Sequence, residues 1–131
     1  MSRTPRERGM GPFHVRCRVQ NHVDRSKSMR IPKLLVHTVS EHTWIPGEKL
    51  EKIGVGREKK DVRFVMANGE VVTRSIGFAI LRVEKHFTID EVVFAEPGDW
   101  LLLGARTLEG LNLTVDAARK KLVAAGPHPA A

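Results

Sequence analysis

The chain has one cysteine, no tyrosine, and only five Phe and two Trp as aromatic side chains. A lone Cys17 excludes an intramolecular disulfide and a cysteine-based zinc framework, so it reads as a packed strand residue. Scarce aromatics mean that Val, Ile and Leu must build the core. They also leave little for nucleic-acid bases to stack on. Long hydrophobic runs are missing too. Trp100-Leu101-Leu102-Leu103 is far too short to span a bilayer, and the basic stretch from Ser2 to Arg8 is not followed by the apolar segment of a secretory signal. A cytoplasmic protein without a membrane partner is the expectation.

What the sequence does have is enough for one domain. At 131 residues, 41% hydrophobic and 28% charged, the chain can bury roughly two thirds of the surface that its unfolded form exposes. The formal charge of +7 and a pI near 10.1 raise the question of an acidic partner. The basic residues, however, are scattered: Arg25, Lys27, Arg30 and Lys33, then Arg57, Lys59, Lys60 and Arg63, then Arg119, Lys120 and Lys121. No nucleic-acid-binding module accompanies them, so nucleic-acid binding stands as a third reading and not as the expected partnership.

Residues 1–12 carry Arg, Pro and Gly without apolar periodicity and are expected to form a mobile basic tail. From Phe13 to Val19 apolar residues fall at every second position, the pattern of a half-buried strand. Residues 21–29 read as a loop and Ile31 to Val36 as a second strand. Pro46, Leu50, Ile53 and Gly54 mark a short helix over 45–54. Val62 to Met66 and Val71 to Thr73 flank Ala67-Asn68-Gly69-Glu70, a hairpin signal. Strands over 76–83 and 87–94 follow, joined by the turn Glu84-Lys85-His86, and a second short helix over 105–111 precedes an extended Leu113 to Val115. Residues 117–122 could continue as a helix or turn back into a strand, with local propensity favouring helix, and residues 124–131 read as a C-terminal tail. The expected domain is therefore 13–123, all-β with one or two short helices.

An internal repeat is visible. Leu50-Glu51-Lys52-Ile53-Gly54-Val55 aligns with Leu108-Glu109-Gly110-Leu111-Asn112-Leu113, each preceded by an apolar strand and a loop, which points to two similar halves.

The apolar run Leu34-Leu35-Val36 ends at His37-Thr38-Val39-Ser40-Glu41. Together with Trp44-Ile45-Pro46, the helix to Gly54, the Asn68-Gly69 hairpin, Leu102-Leu103-Gly104-Ala105 and Leu108 to Leu111, it resembles a retropepsin-like aspartic protease of bacterial type. The resemblance implies a closed β-barrel-like fold with a pseudo-twofold repeat, a homodimer, and a peptide or protein substrate without a cofactor. It also implies a flap formed by Met66, Ala67, Asn68 and Gly69, and a structural signature at Leu102, Leu103 and Gly104. In that family each subunit supplies one Asp from an Asp-Thr/Ser-Gly loop. The two carboxylates cannot both ionise, so one acts as base and the other as acid.

Here His37 stands at the Asp position and Val39 at the Gly position, with only Thr38 retained. None of Asp24, Asp61, Asp90, Asp99 or Asp116 is followed by Thr/Ser-Gly, so no displaced motif exists. The expectation is crippled or absent hydrolysis on a peptide-binding, dimerising scaffold, with Thr38 serving the subunit contact. Val39 is expected to disturb loop geometry. An imidazole can in principle exchange protons, but a carboxylate dyad's geometry does not suit two rings. Neither does His37 with His42 form a helical metalloprotease motif. Paired across two subunits they could offer imidazole to zinc, without a carboxylate or thiol to complete the set.

Overall fold

The computed structural model describes residues 13–130; the expected N-terminal tail lies outside them, as does Ala131. The chain is mostly β, 51% strand against 11% helix. Among the described residues nine strands, β1 (His14–Gln20), β2 (Ser28–Val36), β3 (Thr43–Pro46), β4 (Lys59–Val65), β5 (Val71–Val83), β6 (His86–Ala95), β7 (Leu102–Leu103), β8 (Leu113–Asp116) and β9 (Lys121–Ala124), are joined with two helices, α1 (Gly47–Lys52) and α2 (Ala105–Leu111). None of the helices among the described residues is long and apolar enough to cross a membrane.

Seven strands form one sheet in the order β1-β2-β7-β3-β6-β5-β4, and β1 also pairs with β5 through Arg18, Val19 and Gln20. The pairing therefore returns to its start. Strand β7 is inserted between β2 and β3: Leu35 and Val36 run parallel to Leu102 and Leu103, while Trp44 opposes Leu102 in antiparallel sense. The two strands that bound the His37 loop are thus held apart by a segment from late in the chain.

Alternation fills the interior as the sequence implies. Cys17, Val19, Ile31, Leu34 and Val36 are buried, and with Ile45, Leu50, Leu81, Val92, Phe94, Leu103 and Leu108 they form the main core. A smaller cluster of Trp44, Ile76, Val93, Ala95 and Leu102 lies beneath the β4–β5 hairpin, where Phe64, Met66 and Val72 pack on it.

The repeat has a geometric counterpart at the helix ends. Leu50, Ile53 and Val55 are buried, as are their counterparts Leu108, Leu111 and Leu113. Gly54 (φ +76°) and Asn112 (φ +56°) are both left-handed, and each donates its N–H three residues back, to Glu51 and Glu109. Glycine and asparagine are the residues that accept this conformation at a helix end.

Two expectations are corrected. Residues 71–83 form one continuous strand, with no break at Arg74-Ser75. Residues 117–122 are not helical: Ala117 to Lys120 make a turn and β9 pairs back on β8. Leu122 and Val115 then pack on the main core, and this tertiary gain overrides a propensity worth only tenths of a kcal/mol per residue. Strand β9 ends at Ala124, one residue past the expected domain boundary.

Candidate functional site

Strand β2 delivers the candidate loop from a fixed base. Leu34 and Val36 are buried, and the His37 N–H donates to the Leu103 carbonyl at 3.0 Å. The Ser40 N–H then donates to the His37 carbonyl at 3.2 Å, closing a turn over 37–40, and Ser40 Oγ donates to the His42 carbonyl at 2.9 Å. The far side of the loop caps α2. A helix start leaves its first N–H groups without internal partners; here Ala105 donates to the Ser40 carbonyl (2.8 Å) and Arg106 to that of Glu41 (3.0 Å). No side-chain cap is present at this end, and the loop backbone does that work.

Gly104 makes the junction possible. A Cβ there would sit against the His42 carbonyl and 2.7 Å from the Glu41 carbonyl oxygen, closer than real Cβ contacts come. At Leu102-Leu103-Gly104, Leu102 is buried in the smaller cluster and Leu103 in the main core, and a residue with no side chain stands where the loop crosses.

The three residues at the loop tip behave differently from one another. His37 is half-buried and stands edge-on to Trp100, with ring centroids 6.1 Å apart. Thr38 is exposed and has no hydrogen-bond partner among the described residues. Val39 is 86% exposed and Trp100 66%. Val39 is absent from the residues with positive φ, so within one chain it fits the loop without backbone strain, contrary to the disturbance expected of it.

Behind the tip lies a buried polar chain that the sequence reading missed. Gly104 N–H donates to Thr43 Oγ1 (3.0 Å), and Thr43 Oγ1 is 2.5 Å from Thr107 Oγ1. Thr107 Oγ1 in turn donates to Asp90 Oδ2 at 2.9 Å. Because Thr107 spends its proton on the carboxylate, Thr43 must donate to Thr107. Both threonines are fully buried, and every member of the chain is satisfied. Beside it, Glu91 collects Lys59, Arg106 (3.0 Å) and His42 (3.3 Å). The Lys59 ammonium first, then His42 and Arg106, hold its carboxyl below the usual glutamate range.

His42 is thereby turned to Glu91 and to the edge of Phe64, 5.5 Å between centroids. Among the described residues no group of three or more His, Cys, Asp or Glu could hold a metal ion. Compared with family models and with curated proteins, the chain matches none.

The β4–β5 hairpin leans over the same neighbourhood through the residues next to its turn: Phe64 meets Trp44 at 5.1 Å and Met66 packs on the smaller core. Its tip is a three-residue connection. Gly69 donates to the Met66 carbonyl (2.9 Å), Met66 to that of Glu70 (2.7 Å), and Gly69 is left-handed at φ +87°. This is a type I turn followed by a glycine bulge, not the two-residue turn that Asn-Gly most often makes. Ala67, Asn68 and Gly69 are exposed, and Asn68 Oδ1 accepts the Glu70 N–H at 2.9 Å.

Proposed function

We propose that this chain is a retropepsin-like scaffold that pairs as a homodimer and engages extended peptide without hydrolysing it by the paired-carboxylate route. The observation that carries the reading is the junction at Gly104, where an apolar strand, a short hydroxyl-bearing loop, the inserted β7 and the following helix meet. The return of the strand pairing from β5 to β1 supports a closed barrel-like fold, and the matched caps at Gly54 and Asn112 support two related halves.

The loop carries no carboxylate at its tip. Glu91 is engaged by Lys59, Arg106 and the His42 ring and Asp90 accepts from Thr107, so both carboxylates are already committed to other partners. By comparison with other enzymes stripped of one catalytic group, the missing Asp costs on the order of 10⁴-fold or more in rate. Exposed Val39 and Trp100, beside an unpartnered Thr38, support a subunit contact at the loop tip, since apolar side chains grouped on a surface favour association.

The test combines association with catalysis. Sedimentation is expected to give a dimer for the unmodified chain and a monomer for Val39→Asp, and His37→Asp with Val39→Gly is expected to gain pepstatin-sensitive peptide cleavage at pH 5. A monomer at micromolar concentration, or cleavage by the unmodified chain as fast as by the double variant, overturns the reading.

A further inference from the structure

We propose that the groove along β1 binds the phosphate backbone of a single-stranded nucleic acid. The fold gathers there what the sequence scatters. An open groove of ≈ 580 Å³ is lined by Arg16, Arg18, Arg30, Arg82, Lys120 and Lys121, from four separate segments, against a single carboxylate, Glu84.

The strand register sharpens this. Arg18 lies directly opposite Arg30 across β1–β2 and opposite Arg82 across β1–β5, so three arginines form one row on three adjoining strands. Like charges placed directly opposite in a sheet destabilise it. Among the described residues none of the six cations is within ion-pair distance of a carboxylate. Five cations outside the groove are matched: Arg74 to Asp99, Arg57 to Glu51, Lys59 and Arg106 to Glu91, and Arg119 to Asp116. The row is a repulsion that the described chain leaves for a ligand to neutralise.

Geometry selects the ligand class. Three adjoining strands set the ends of the row about 10 Å apart at the backbone, and Arg16, Lys120 and Lys121 extend the cations along the same groove, an arrangement that suits several anionic groups in line. The groove has the volume of a small-ligand pocket, which admits one strand and not a duplex. Arginine's planar fork pairs with phosphate oxygens two at a time. Arg16 faces the irregularity in β2, where Leu34 to Ile31 is one residue longer than Val15 to Cys17, and it stays outside the β1–β2 pairing. Arg82 is braced by Gln20 and by the Phe87 ring, 4.7 Å from its guanidinium carbon. Phe13 adds an apolar wall. None of this depends on the protease reading.

The test is fluorescence anisotropy of the full chain with a labelled oligo(dT) of about 15 nucleotides from roughly 50 to 200 mM salt. Affinity is expected to fall linearly on logarithmic axes. Arg18→Gln with Arg30→Gln removes two phosphate contacts, so the slope becomes shallower by about 1.4, at about 0.7 per contact. Lys49→Gln with Lys52→Gln removes the same charge from exposed positions on α1 and is expected to leave the slope unchanged. Thermal melting confirms that each pair is folded, and Arg16→Gln repeats the test singly at an exposed position of β1. The proposal is overturned by absence of binding at low salt, by equal weakening in both pairs, or by binding to phosphatidylserine vesicles with none to the oligonucleotide.

Discussion

Gly104→Ala tests the junction on which the candidate site is built. The added methyl would meet backbone on both sides, the His42 carbonyl and the Glu41 oxygen at 2.7 Å, and neither can swing away as a side-chain tip could. Relief requires the loop to back off α2 by the better part of an ångström. Overpacking of this kind costs about 1–3 kcal/mol. The same movement stretches the bonds from Ala105 to Ser40 and from Gly104 to Thr43, each worth about 1 kcal/mol net. About 3 kcal/mol in total corresponds, for a chain of this size, to a fall in melting temperature of about 12 °C. Circular dichroism melts would measure it. Gly98→Ala is the control, since Gly98 is left-handed (φ +93°) with nothing within 4 Å; it pays only the conformational term of about 1–2 kcal/mol. If Gly104→Ala melts no lower than Gly98→Ala, the close-approach argument is wrong.

Thr43→Val keeps the shape but leaves the buried Gly104 N–H without its acceptor, and is expected to cost about 1–3 kcal/mol in denaturant unfolding, whereas Thr43→Ser costs less because it keeps the hydroxyl. Acid weakens the fold in a defined window. Arg74, with the Glu96 N–H, holds Asp99 below its ordinary 3.8, and Lys59, His42 and Arg106 hold Glu91 below 4.5. Because both are depressed, their stabilisation is complete above those ordinary values and is lost as pH falls through the lower folded ones. Melting temperature should therefore hold between pH 7 and 5 and drop below about 4.5, with Asp99→Asn lower at pH 7 and less steep in acid. Cys17 is 1% exposed and burial pushes its thiol up to about 12; iodoacetamide at pH 8 should label it in denaturant and leave it untouched in the native chain.

The parts of the fold written in local pattern were legible. Alternation gave β1, Asn68-Gly69 placed the hairpin, and Gly54 closed α1, because period, turn chemistry and capping act over a few residues. Arg74-Ser75 hid the continuity of β5: two polar residues between apolar runs read as a break, yet both lie within the strand, with Arg74 paired to Asp99. Lysine and arginine around residue 120 favoured helix, and the apolar contacts of Leu122 outweighed them. The buried threonine chain was invisible because its members lie far apart in sequence and nothing local marks a threonine as a partner. The arginine row was missed for the same reason: Arg18, Arg30 and Arg82 become neighbours only once β1 pairs on both sides.

Two residues of β7 carry a temporal consequence. Leu102 completes the sheet by pairing with Leu35, about 67 positions earlier, and such distant contacts form late because closing the intervening loop costs entropy before any contact rewards it. During synthesis β2 and β3 would both exist with open edges facing a gap, while the segment that fills it is still unmade. Until that segment arrives, the nascent chain holds two unpaired edges side by side, the state most exposed to misassociation. The His37 loop is therefore among the last parts of this protein to take shape.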